Sequence, residues 1–126
     1  MVAPSRIMGS AWLAMALPCL IVPSFVLKLS VNPALLTDQP GKHENKLDCF
    51  ILRCFGSQAV LVSILLLNCD MNKDTYKIWT VSMVPFFVFD FVAFKSGYLT
   101  LLGAVGDGLG NVIFTLCSAV GAGLLQ

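Results

Sequence analysis

Three ionisable residues interrupt long apolar stretches of this chain: Arg53, Asp90 and Asp107. A charge placed inside a bilayer is costly, so residues of this kind are functional candidates by default. Two carboxyl groups and a guanidinium suit acid–base work. One arginine against two carboxylates leaves a surplus negative charge in dry surroundings. That surplus is relieved if one Asp keeps its proton while the other pairs with Arg53. The outcome is a neutral acid beside an ionised base, held by one guanidinium. Asn111 is four residues after Asp107, shares its helix face, and is a candidate to hold a nucleophilic water. Ser57 and Gln58 extend the polar patch around Arg53.

Most other chemistries lack their residues. His43 is the sole histidine, and the five cysteines (Cys19, Cys49, Cys54, Cys69 and Cys117) include no CxxC pair, so no metal site and no cofactor is expected. Those thiols read as small hydrophobes. The run Gly106-Asp107-Gly108-Leu109-Gly110 lacks the strand and the lysine of a nucleotide loop. No Asn-x-Ser/Thr glycosylation acceptor occurs. What remains is proton-driven chemistry on a lipophilic molecule, and epoxide opening fits. A protonated Asp gives its proton to the epoxide oxygen while an ionised Asp takes one from water or from an internal hydroxyl.

The elements that must position these residues are membrane helices. Of the 126 residues, 57% are hydrophobic and 12% charged, against about 25% charged in a soluble domain. Net charge is +1, with no basic run, so nucleic acid is not an expected partner. The bilayer is. A single membrane domain, 1–126, is expected, with spans over about 7–31, 47–68, 76–94 and 99–125 and a polar loop at 32–46. Each run has roughly the 20 residues that cross ~30 Å of hydrocarbon. The first contains Pro18 and Pro23 and reads as a retained, bent span rather than a cleaved signal. The fold class is all-α: an integral membrane four-helix up-down bundle with both termini on one side. Lysines and arginines divide evenly between the two faces, so orientation is undetermined. Small bundles often pair, so a homodimer is one possible oligomer, and the sequence does not fix the oligomeric state. The endoplasmic reticulum or another internal membrane is the expected location.

Counting from the helix ends places the three charged residues at similar depth below the long-loop face, Arg53 at ~9 Å, Asp90 at ~8 Å and Asp107 at ~13 Å. They are therefore expected to converge. Asp90 lies among Phe86, Phe87 and Phe94, which disfavour its ionised form. The glycines from Gly103 to Gly123 would let other helices approach the fourth span closely.

The Asp–Arg–Asp set resembles the triad of limonene epoxide hydrolases, a soluble and unrelated fold, in residue types only. Four spans carrying Leu52-Arg53-Cys54-Phe55-Gly56-Ser57-Gln58, Phe89-Asp90-Phe91 and Gly106-Asp107-Gly108-Leu109-Gly110-Asn111 resemble small integral membrane enzymes of fungal natural-product pathways. Some of these open or cyclise polyketide and terpenoid epoxides. That resemblance covers roughly the last 80 residues and implies Asp90 and Asp107 as the acid–base pair. The Arg-x-x-Gly of the second span is similar to DoxX-like four-helix membrane proteins, which implies no defined chemistry. Three uses of the charged layer stay open: catalysis, a structural Arg–Asp clasp in a scaffold or assembly subunit, and proton conduction.

Overall fold

The computed structural model describes residues 3–36 and 46–125. Among these, all regular structure is helical: α1 (Pro4–Ile21), α2 (Pro23–Ser30), α3 (Lys46–Asn68), α4 (Lys73–Ser82), α5 (Val84–Lys95) and α6 (Leu101–Gly121). Three stretches are long and apolar enough to cross a membrane: α3, α4 with α5 (Lys73–Lys95), and α6. The α4–α5 junction falls at Met83 because Pro85 has no N–H to offer the preceding turn. Met83 itself stays in the right-handed helical region, so the two segments continue as one span.

The expected first span is two helices bent by 109°. α1 runs through Pro18 unbroken, and the break comes at Val22. Pro23 lacks a donor, and its ring disfavours helical geometry in the residue before it. Val22 accordingly sits at φ −127°, ψ 54°, and Pro23 opens α2 as its first residue. α2 then lies across one end of the molecule, packing against α3 and against α6. At its far end the Thr100 hydroxyl donates to the Leu29 carbonyl, and the Thr100 amide donates to the Ser30 carbonyl at 2.9 Å. Gly103 makes that junction feasible, since any Cβ there would collide with the Ser30 backbone. The expected loop is ordered at its start, where the Asn32 side-chain amide donates to the Gly97 carbonyl at 2.8 Å. Residues 37–45 of that loop, with His43, lie outside the described residues.

The remaining helix ends fall within three or four residues of expectation and have local causes. Asn72 caps α4 by accepting from the Thr75 amide at 2.8 Å, and Thr100 caps α6 by accepting from the Gly103 amide at 3.0 Å. Gly97, at φ 73°, turns the chain out of α5 toward α6.

The helices form a row in the order α3, α1, α6, then α4–α5. Neighbours run antiparallel. α1 and α3 approach most closely through glycines: a Cβ on Gly56 would lie 2.8 Å from the Leu20 amide nitrogen, and one on Gly9 would lie 3.0 Å from the Ser63 carbonyl. The row does not close on itself, because the α3 backbone does not come close to that of α4 or α5. The compact apolar centre is at the end away from α2. There Met8, Leu66, Tyr76, Met83, Phe114 and Ala122 pack together, with Trp12 stacked on Phe114 at 4.7 Å and edge-on to Trp79 at 6.0 Å.

Candidate functional site

α6 carries the site and two neighbours complete it. Gly103, Gly110, Asn111, Phe114 and Ser118 recur at helical spacing along its buried face. At the end away from α2, side chains of α1 and α4 meet over this face. The Ser5 amide donates to the Tyr76 hydroxyl at 3.0 Å, and Trp12 meets Trp79. Toward α2, α1 and α5 both flank α6. The α6 face between them is the floor on which the candidate site is built.

Two acids and an amide occupy that floor. Asp90 reaches in from α5 and is buried to 8% exposure, and Asn111 is buried to 5%. The Asn111 side-chain amide donates to Asp90 Oδ2 at 2.7 Å. The other oxygen of that carboxyl, Oδ1, is buried and has no hydrogen-bond partner among the described residues. Asp107 is one turn of α6 away from Asn111, and its carboxyl lies near enough to that of Asp90 for the two to interact electrostatically. Asp107 is itself exposed, so the pair has one buried and one accessible member. On the opposite side, the Cys19 thiol of α1 lies within electrostatic reach of Asp107. Met15 covers Gly110, where a Cβ would lie 2.7 Å from the Met15 sulfur. Asp90 and Asp107 each lie about 8–9 Å from the nearer end of their helix.

Such a pair has a definite chemical character. Two carboxylates held near each other repel, and a proton shared between them relieves that repulsion. One acid is then a donor and the other an acceptor, without need of a cation.

Of the residues singled out in the sequence, Asp90, Asp107 and Asn111 come together and Arg53, Ser57 and Gln58 do not join them. The expected Asp–Arg–Asp convergence is not formed. Arg53 sits at the anticipated depth, but α3 packs its backbone against α1 and α2 rather than against α5 or α6. Gly56, Ala59 and Ser63 turn toward α1, which leaves Arg53 about a quarter-turn away on an exposed flank. Ser57 is exposed as well, and its hydroxyl donates to the Cys54 carbonyl at 2.8 Å. Gln58 is exposed beside it. Asn111, expected to hold water, instead holds Asp90. Phe87 joins the packing at the core, whereas Phe86 and Phe94 are exposed. Of the α6 glycines, Gly103, Gly110 and Gly121 lie under neighbouring groups as expected, while Gly106 and Gly108 face open space.

Cys19 and Met15, on the α1 side of the site, were not anticipated. Their four-residue spacing puts them on one helix face, but nothing in the sequence pairs that face with Asp107. Among the described residues no group of three or more metal-ligating side chains occurs. No protein-family model, curated protein or solved structure matches the chain.

Proposed function

We propose that the chain is a membrane-embedded, cofactor-independent acid–base enzyme acting on a lipophilic substrate, with Asp90 and Asp107 as the proton-transferring pair. The observation that carries this reading is the unpartnered, buried Oδ1 of Asp90 beside a second, accessible carboxyl. A buried polar atom left without a partner is expensive, and such atoms tend to mark functional positions. The α6 face between α1 and α5 gives an apolar molecule a route to the pair from the bilayer, with the bent α1–α2 pair serving as a fourth crossing beside the other three spans.

An epoxide of a polyketide or terpenoid metabolite is the substrate class that this equipment suits best. The protonated carboxyl donates to the epoxide oxygen as its carbon–oxygen bond breaks. The ionised carboxyl accepts a proton from water, or from a hydroxyl of the substrate, as that oxygen bonds to the opened carbon. The first course yields a diol and the second a cyclic ether. Afterwards the pair again holds one proton, its positions exchanged. Asn111 acts through Asp90, fixing the orientation of its carboxyl. The resemblance to small membrane enzymes of fungal natural-product pathways favours the same substrate class and an internal membrane such as the endoplasmic reticulum. Arg53 has no part in this scheme.

The test is turnover of lipophilic epoxides by the protein in lipid nanodiscs, with Asp90→Asn and Asp107→Asn. Each variant is expected to stay helical and lose diol or cyclic-ether formation by about 100-fold or more, the scale of general acid–base catalysis. Normal turnover by both folded variants would refute the reading.

The 2.7 Å bond from Asn111 to Asp90 favours one second reading. It ties α6 to α5, and in a non-catalytic scaffold or assembly subunit it would be a clasp. Under that reading the same variants lose thermal stability or assembly, and no epoxide is consumed by the wild-type protein.

A further inference from the structure

Arg53 is left with a charge that its own helix bundle does not answer. It lies about 10 Å along α3 from Lys46, near the depth where headgroups give way to hydrocarbon. Its side chain is exposed, and among the described residues no carboxylate lies within ion-pair distance of it. A guanidinium facing lipid needs a counter-charge, and a long side chain obtains one by reaching toward the headgroups.

The surroundings of Arg53 are shaped for that purpose. It lines a crevice of about 300 Å³ between the start of α2 and the first turns of α3, together with Lys46, Ser24 and Phe50. Lys46 and Arg53 are two turns apart and share one face of α3, so both cations border the same space. Ser24 is at the first turn of α2, the positive end of that helix's dipole. Beside the crevice, Phe25 and Phe50 are 59% and 63% exposed and offer an apolar surface at the same level.

We propose that this crevice binds the phosphate of an anionic phospholipid headgroup from the leaflet on the α2 side, with Arg53 and Lys46 as its cationic contacts. Arg53 matches two phosphate oxygens through its planar fork, and Lys46 supplies a second, point-like charge. A zwitterionic headgroup fits less well, because its own cation would approach two like charges. The flanking phenylalanines suit acyl chains, which distinguishes a lipid from a soluble anion. The crevice shares no residue with the acid pair, being lined by residues of α2 and α3 alone.

The test uses the full chain in nanodiscs of phosphatidylcholine containing a minor fraction of phosphatidylglycerol, with lipid retained after release into detergent counted by native mass spectrometry. Wild-type protein is expected to retain phosphatidylglycerol in preference to phosphatidylcholine. K46Q/R53Q is expected to weaken that retention by about tenfold or more, the loss of a hydrogen bond to a charged group. K28Q/K95Q removes the same charge from exposed positions at the same end of the molecule and is expected to leave retention unchanged. R53Q alone should move retention in the same direction and serves if the double variant does not fold. Equal weakening by both double variants would mean diffuse attraction to an anionic surface and would overturn the proposal. So would unchanged retention in R53Q, or displacement of the lipid by millimolar inorganic phosphate.

Discussion

The Asn111 side-chain amide donates to Asp90 Oδ2 at 2.7 Å, while the other oxygen of that carboxyl, Oδ1, is buried without a partner among the described residues. One hydrogen bond between α5 and α6 thereby does two things. It satisfies half of a buried carboxyl, and it ties α5 to α6. The aromatic contacts of Trp12, Trp79 and Phe114 hold together the end of the molecule away from α2.

Asn111→Leu keeps the approximate size of the side chain and removes its donor. Asp90 Oδ2 would then be buried without a partner, at a cost of about 2–3 kcal/mol. The expected result is a lower unfolding temperature in detergent, accompanied by loss of turnover. Unchanged stability would mean that the bond does not form in the membrane.

Turnover is expected to follow a bell-shaped pH profile. At high pH the shared proton is lost and no donor remains; at low pH the second carboxyl is protonated and no acceptor remains. The Cys19 thiol is the other titratable group facing Asp107, so Cys19→Ala should be compared with the wild type. Retention of both limbs in that variant assigns them to the acid pair.

Arg53→Gln is expected to leave epoxide turnover within about twofold of wild type, because catalytic effects of this kind need hydrogen-bond reach. The measurement is made in phosphatidylcholine nanodiscs, so that headgroup charge does not vary. A loss as large as that of Asp90→Asn would place the guanidinium in the site after all.

The same variant exposes what could be read from the chain and what could not. The depth of Arg53, Asp90 and Asp107 follows from counting residues along helices from the polar loop and turns that bound the apolar runs. Neighbour order does not follow from counting. α3 is drawn to α1 by the close approach at Gly56, and a helix that presents its small residues to one neighbour presents its arginine elsewhere. The pairing of Asp90 with Asn111 was within reach, since Asn111 and Asp107 share a face at a depth close to that of Asp90. The sharp bend at Val22 was also written locally, in Pro23. A single bent span was expected instead because the apolar run continues beyond it to Val31, and hydropathy does not register direction.

Packing at the glycines gives a test of the helix row itself. Gly56→Val is expected to destabilise the protein by about 1–3 kcal/mol, because its Cβ meets the Leu20 backbone, which cannot give way as a flexible side chain could. Gly106→Ala faces open space and should be neutral or stabilising by up to about 1 kcal/mol through helix propensity. Chemical unfolding in detergent compares the two. Equal effects would argue against the α1–α3 contact.

The claim on which the account rests is that Asp90 and Asp107 hold one proton between them. Carboxyl carbon NMR of 13C-aspartate protein in lipid at neutral pH measures this, with Asp90→Asn and Asp107→Asn identifying the two resonances. One protonated and one ionised carboxyl, each shifted when the other residue is replaced, is the expected result. Two fully ionised carboxylates that ignore each other's replacement would contradict it.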